Sequence, residues 1–347
     1  MSHFLAEINE QPQTLRSTTN SIRAAESSLL AWIDGLKSRP IKRVIFTGMG
    51  ASYYAPIPAM LYLIEQGMDA IIIDTSELLY YQMPLFNEQT LLVAISQSGR
   101  SVEVVRLVEQ LKGKNIPVLG ITNDPASPLA QNSDLVLALE AGQELTVSNK
   151  TYTSTLAALH LLACALSGQP LAPAYDALEQ AASLVGEYLP TWNQQAQEVA
   201  NTLAGVQSLI LLGRGPALAS AMNSALIIKE SAKFPTEGMS GGQFRHGPLE
   251  VVDSRIAILM FTGAAPVRQF NLDLAAEIAK LGGRMTLIGA TDNPYPQAVL
   301  IPLPTADPWL MPIFEIIPMQ YLAVHFAAAQ GLEAGKFRYI QKVTTKE

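Results

Sequence analysis

Two stretches of this chain end alike, and that repetition constrains the fold more than any other feature. The apolar run Val44-Ile45-Phe46-Thr47 leads into Gly48-Met49-Gly50, and Leu209-Ile210-Leu211-Leu212 leads into Gly213-Arg214-Gly215, an offset of 165 (48 to 213). Further on, residues 91–96 (LLVAIS) pass through a polar turn into a helical pattern and a second apolar run containing Gly120. Residues 256–263 (IAILMFTG) do the same, reaching Gly289, an offset of 169 (120 to 289). Offsets that agree this closely identify a duplicated unit, because chance matches would scatter.

Each unit reads strand, helix, strand, helix, strand. The strands are continuous apolar runs, as expected of parallel strands covered on both faces. Over 102–113 the spacing places Val105, Leu107, Val108 and Leu111 near one face, with Glu103, Arg106 and Glu109 opposite. Short strand-to-helix turns imply right-handed parallel crossovers. The expectation is an α/β chain of two tandem doubly wound parallel-sheet subdomains: 1–20 an N-terminal helical arm, 21–190 the first subdomain, 191–332 the second, and 333–347 a C-terminal tail.

Composition narrows the function classes. The chain has 347 residues, 49% hydrophobic and only 15% charged, with a net charge of −7. A net-acidic chain without a basic run does not neutralise a phosphate backbone, which argues against nucleic-acid binding. One cysteine, Cys164 in an apolar run, leaves no disulfide framework or cysteine metal cluster. No HxH, HxxxH or carboxylate cluster suggests a metal. The N-terminus lacks an apolar signal region, and the apolar stretch 308–331 is interrupted by Pro312, Glu315, Pro318 and His325. These features predict a cytoplasmic protein without a membrane span.

Ligands of open α/β sheets sit beyond the carboxyl ends of the strands. In the first half that place holds Ser96-Gln97-Ser98-Gly99-Arg100-Ser101, directly before a helix; in the second half it holds Thr262-Gly263-Ala264-Ala265-Pro266. The hydroxyl cluster at a helix N-terminus suits a phosphate, whereas capping alone explains one serine and not the set. Ser52, after the Gly48-Met49-Gly50-Ala51 turn, is placed to join the same anion. Position 53 is Tyr, which breaks the dinucleotide fingerprint, and no P-loop pattern occurs, so no nucleotide cofactor is indicated. In the second half, Glu230 lies in an otherwise apolar or small helical pattern, and His246 lies in a Gly-rich loop before Pro248. A carboxylate and a histidine suit proton transfer, the alternative readings being a surface charge for Glu230 and a loop hydrogen bond for His246.

These motifs resemble the sugar isomerase (SIS) family, specifically the isomerase part of glucosamine-6-phosphate synthase and its glutaminase-free relatives. The matching pieces are EIxEQP (Glu7, Ile8, Glu10, Gln11, Pro12), GMGAS at 48–52 and SQSG at 96–99. They continue with Gly142, Glu144 and Val147, then LGRG, IIKES, FRHGPLE and a Lys-Val-Thr that begins at Lys342. The resemblance implies that Ser52, Ser96, Gln97, Ser98 and Ser101 hold a sugar phosphate, with Gly50, Ala51, Val147 and Ser148 around the sugar. It further implies Glu230 as the C1/C2 proton carrier, His246 as the ring-opening group supplied by a neighbouring subunit, and Lys342 at the carbonyl. A homodimer with a shared active site and a phosphosugar substrate follow, with no cofactor.

The chain departs from the synthase at Ile227, where a lysine is expected, and at Asn223, where an acid is expected. It is one residue shorter in 147–151 and carries no N-terminal cysteine for glutamine. The expected reaction is therefore isomerising deamination of glucosamine 6-phosphate to fructose 6-phosphate and ammonia. The alternatives are a fructosamine-6-phosphate deglycase, another amino-sugar-phosphate deaminase or isomerase, or a non-catalytic phosphosugar-binding regulator.

Overall fold

The computed structural model describes residues 2–289, 298–339 and 341–343. The Thr344 of the Lys-Val-Thr match and the rest of the tail beyond it lie outside the described residues. Among the described residues, ten strands form two five-stranded parallel sheets. The first contains β1 (Arg43–Gly48), β2 (Asp69–Asp74), β3 (Thr90–Ile95), β4 (Val118–Thr122) and β5 (Leu135–Ala138), in the order β2-β1-β3-β4-β5. The second contains β6 (Ser208–Gly213), β7 (Thr236–Ser240), β8 (Ile256–Phe261), β9 (Arg284–Gly289) and β10 (Val299–Pro302), in the order β10-β9-β8-β6-β7. Matching the strands by the repeat gives the same order in both sheets, so the chain is two doubly wound α/β sheets with a helical N-terminus.

The sequence pattern found three strands in each unit, and the structure has five. The additional strands lie at sheet edges or read weakly. Both β5 and β10 have only four residues, and β7 (TEGMS) is held by close packing rather than propensity. A Cβ on Gly238 of β7 would lie 2.5 Å from the Ala221 carbonyl oxygen of the helix Ala217–Ala232, so only glycine permits that approach.

Cα packing divides the chain into two units. The β1–β5 unit contains Gln11–Glu144, Lys150–Ala182 and Tyr339–Glu347, and the β6–β10 unit contains Met1–Glu10, Leu145–Asn149 and Ser183–Arg338. In the first, Ile45, Leu92, Ala94, Val104, Leu107, Val108 and Leu111 build the core beneath the helix Val102–Leu111. That helix is turned slightly from the sequence reading. Val104 and Glu103 are buried, while Val105 is only half-buried, because the stripe centres on 104, 107, 108 and 111. In the second unit, Ile210, Leu212, Phe244, Ile258, Met260, Leu274 and Ile278 form the equivalent core.

The apolar stretch near the C-terminus is one continuous helix, Met311–Ala329, with Pro312, Glu315, Pro318 and His325 inside it. Pro312 occupies the first turn, where no amide donor is needed, and Pro318 is accommodated within the helix. By length and composition this helix could cross a membrane, but 78% of its apolar window is buried within the fold. Its carboxylate, Glu315, is 2% exposed and accepts from Ser220 Oγ at 2.6 Å.

Candidate active site

At the carboxyl end of β1 the chain turns through Gly48, Met49 and Gly50 into the short helix Ala51–Tyr54. A Cβ on Gly48 would meet the Ser52 carbonyl oxygen at 2.7 Å, and Gly50 has φ 55. Both glycines are therefore required for the turn that carries half-buried Ser52 past the strand end.

The neighbouring strand β3 ends in the serine loop. Ser96 is buried and its amide donates to Ile121 O at 3.1 Å, which extends the sheet by one residue. Gln97 O accepts from Asn123 N at 2.9 Å and Thr122 Oγ1 at 3.2 Å. Gly99 has φ 63, and a Cβ there would lie 2.0 Å from Ser127 Oγ. Ser96 Oγ and Ser101 Oγ are 3.1 Å apart. Ser101 is the N-cap of the helix Val102–Leu111, yet its hydroxyl makes no capping bond. Ser98 Oγ accepts from Arg100 N at 3.2 Å. Capping thus does not account for the serines, and the first turn of the helix keeps its free amide donors. Outside the loop, Arg100 pairs with Asp124 at 2.8 Å, and that hydrogen bond holds the Asp124 carboxyl below its usual range.

The second sheet closes the same position with its own side chains. After β8, Asn271 Nδ2 donates to Phe261 O at 3.2 Å and Thr262 O at 3.1 Å, and its Oδ1 accepts from Arg214 Nε at 2.9 Å. One strand end presents a cluster of hydroxyls that cap no helix, and its repeat partner is filled by an amide.

Glu230 lies in the last turn of the helix Ala217–Ala232 and is half-buried. The helix stops at Lys233, which adopts φ 55 and whose Nζ donates to the Glu230 carbonyl and to Lys336 O at 2.7 Å. His246 is exposed, in the turn between the helix Gly241–Phe244 and Pro248, with its amide donating to Gln243 O at 2.9 Å. Val147 is buried and Ser148 half-buried, in an irregular segment of the same β6–β10 unit.

The serine loop, Gly50, Ala51, Ser52 and Lys342 belong to the β1–β5 unit. There Lys342 Nζ pairs with Glu144 Oε2 at 2.5 Å. Glu144 also accepts from Thr151 N at 3.0 Å and Thr151 Oγ1 at 2.8 Å. Glu144 entered the sequence reading only as a motif position, and its pairing with the tail lysine went unforeseen. Among the described residues no group of three histidine, cysteine or carboxylate side chains could hold a metal ion.

Residues 39–165 match the SIS domain. The glutamine–fructose-6-phosphate aminotransferase (isomerizing) of Gloeobacter violaceus is 30% identical over 362 residues, covering 99% of this chain and 59% of the relative. The chain thus spans about three-fifths of the length of the curated relatives it matches. Among solved structures, the C-terminal domain of glucosamine-fructose-6-phosphate aminotransferase from Francisella tularensis superposes with a TM-score of 0.87 at 23% identity, covering 97% of this chain and 98% of that one. A glucosamine-6-phosphate deaminase from Thermotoga maritima superposes with a TM-score of 0.76 at 23% identity, covering 99% of each chain. These structural likenesses establish the shared fold.

Proposed function

We propose that this protein is a phosphosugar aldose–ketose isomerase that works as a glucosamine-6-phosphate deaminase. The observation that carries the reading is the serine loop. Ser96 and Ser101 face one another at 3.1 Å at a helix N-terminus that neither caps, while the repeat-related strand end is filled by Asn271. Hydroxyls and free amides at that position suit a dianionic phosphate.

In this account Ser52, Ser96, Gln97, Ser98 and Ser101 anchor the substrate phosphate. Binding energy from that unreactive group orients the reacting carbons. Gly50, Ala51, Val147 and Ser148 line the sugar. His246, exposed on its own protomer, assists ring opening in a neighbouring subunit of a homodimer. Glu230 takes the proton from C2 and returns it to C1, converting the 2-amino aldose into a 2-imine. Water adds to the imine carbon and ammonia leaves, giving fructose 6-phosphate. Lys342 contacts the sugar carbonyl. The chemistry needs only water as co-reactant, and the Thermotoga maritima deaminase shares the fold over the full chain.

The test is to offer purified protein glucosamine 6-phosphate and to measure ammonia and fructose 6-phosphate together. Equimolar formation supports the reading. Thermal protection by the sugar phosphate without ammonia release would keep the phosphate site and refute the reaction.

A further inference from the structure

We infer that Glu7 is a positioning residue of the sugar site: from the N-terminal helix it fixes the 145–149 segment that presents Val147 and Ser148. The inference rests on the sugar-lining role proposed above for those two residues.

Glu7 lies in the helix His3–Asn9 and is only 4% exposed. Its carboxylate reaches a segment about 140 residues away. Oε1 accepts from Leu145 N at 2.5 Å, Oε2 accepts from Asn149 Nδ2 at 3.0 Å, and Oε2 also accepts from the Thr146 hydroxyl. The donors thus come from both ends of a five-residue stretch and from within it, and they bracket Val147 and Ser148. That stretch is neither helix nor strand, so no regular ladder sets its backbone, and side-chain acceptors must do so. Burying a carboxylate is costly unless its oxygens are satisfied. A residue needed only to pack the helix against its unit would be apolar, as Phe4 and Ile8 are.

Two further contacts hold this arrangement. Tyr321 Oη donates to Asn9 Oδ1 at 2.9 Å, which ties the N-terminal helix to the helix Met311–Ala329. On the other side, the chain before the tail passes so closely that a Cβ on Gly335 would lie 2.9 Å from Thr146 Cβ and 3.0 Å from Phe4 Cβ. Gly335 has φ 78. The segment is therefore gripped by a carboxylate and crowded by a glycine, and a small loss at Glu7 should change the conformation at 147–148 without dismantling the core.

The test uses Glu7→Ala and Glu7→Gln in the full chain. In Glu7→Ala, KM for glucosamine 6-phosphate should rise about tenfold or more with kcat within about threefold, since the proton-transfer group is untouched. Affinity for inorganic phosphate should stay unchanged, because the serine loop makes no bond to Glu7. Amide exchange at Leu145 should accelerate. Glu7→Gln keeps an acceptor for Leu145 N and should restore part of the affinity, and it serves if the alanine variant does not fold. Unchanged KM and unchanged exchange would overturn the inference, as would equal losses of sugar-phosphate and inorganic-phosphate affinity. Should the wild-type protein bind glucosamine 6-phosphate without converting it, the reaction assignment fails separately. Dissociation constants then decide: a selective loss for the sugar phosphate supports positioning, and unchanged constants overturn it.

Discussion

Lys342 Nζ lies 2.5 Å from Oε2 of Glu144, a carboxylate whose side chain has no exposed area, while the lysine side chain keeps 23% of its own. The two residues are 198 positions apart in sequence. Glu144 is also held by the backbone amide and hydroxyl of Thr151, so the tail lysine docks on an acceptor that is already fixed. Removing one partner of a fully buried pair costs roughly 3–5 kcal/mol. With the ammonium partly in water, Glu144→Ala should cost about 2–3 kcal/mol in denaturant unfolding. The same variant should be cut by trypsin after Lys342 at least tenfold faster than wild type, and an unchanged cleavage rate would show that the pair does not hold the tail.

Ser101 occupies an N-cap position without using its hydroxyl as a cap. An ordinary N-cap serine replaced by alanine loses about 1 kcal/mol of stability. Ser101→Ala should therefore leave the unfolding midpoint of the free protein almost unchanged. It should weaken glucosamine 6-phosphate binding about tenfold or more, because hydrogen bonds to a charged group contribute about 1.5–3 kcal/mol. Calorimetric titration beside thermal unfolding separates the two effects, and a stability loss with intact binding would return Ser101 to a capping role.

Gly48 approaches the backbone of Ser52 too closely for any Cβ, with carbonyl oxygen, carbonyl carbon and Cβ all within 2.8 Å. Gly48→Ala must push the Ser52 turn away from β1. It should lower stability by about 1–3 kcal/mol and reduce phosphate affinity in the same variant. Retained phosphate affinity would place Ser52 outside the site.

Much of the fold can be traced to local pattern. The paired Gly-x-Gly turns at 48–50 and 213–215 mark equivalent strand ends, and the serine cluster at 96–101 follows a strand and opens a helix as read. The edge strands escaped because four residues of LVLA or VLIP give no period to read, and β7 relies on Gly238 lying against Ala221. Pro318 interrupts the apolar run in sequence, yet it sits buried inside the helix Met311–Ala329. Glu7 and Glu144 were visible as motif letters, but their partners lie 138 and 198 residues away. No local propensity encodes such pairings.

Glu315 makes stability depend on pH. Burial, opposed only in part by the hydrogen bond from Ser220, pushes its carboxyl up to about 7. Between the ordinary carboxylate value and about 7, the folded protein keeps a proton that the unfolded chain has released. Stability from this group is therefore full at low pH, falls through that window and levels off above it, a total change of about 3 kcal/mol. His325, on the same helix, is shifted down by burial and gives the opposite slope below its ordinary value. The difference between wild type and Glu315→Gln isolates the carboxyl. Unfolding free energies from pH 5 to 8 should converge at the acid end and diverge towards the alkaline end, with the glutamine variant the more stable. Parallel curves would contradict this.

The central claim is that Glu230 carries the proton between C1 and C2, and Glu230→Gln tests it most directly. Turnover of glucosamine 6-phosphate and its dissociation constant should be measured on the same preparation. The account predicts turnover at least about a thousandfold below wild type, with a dissociation constant within about threefold, because the phosphate contacts lie elsewhere in the chain. Turnover within about tenfold of wild type, or binding lost in step with turnover, would contradict it.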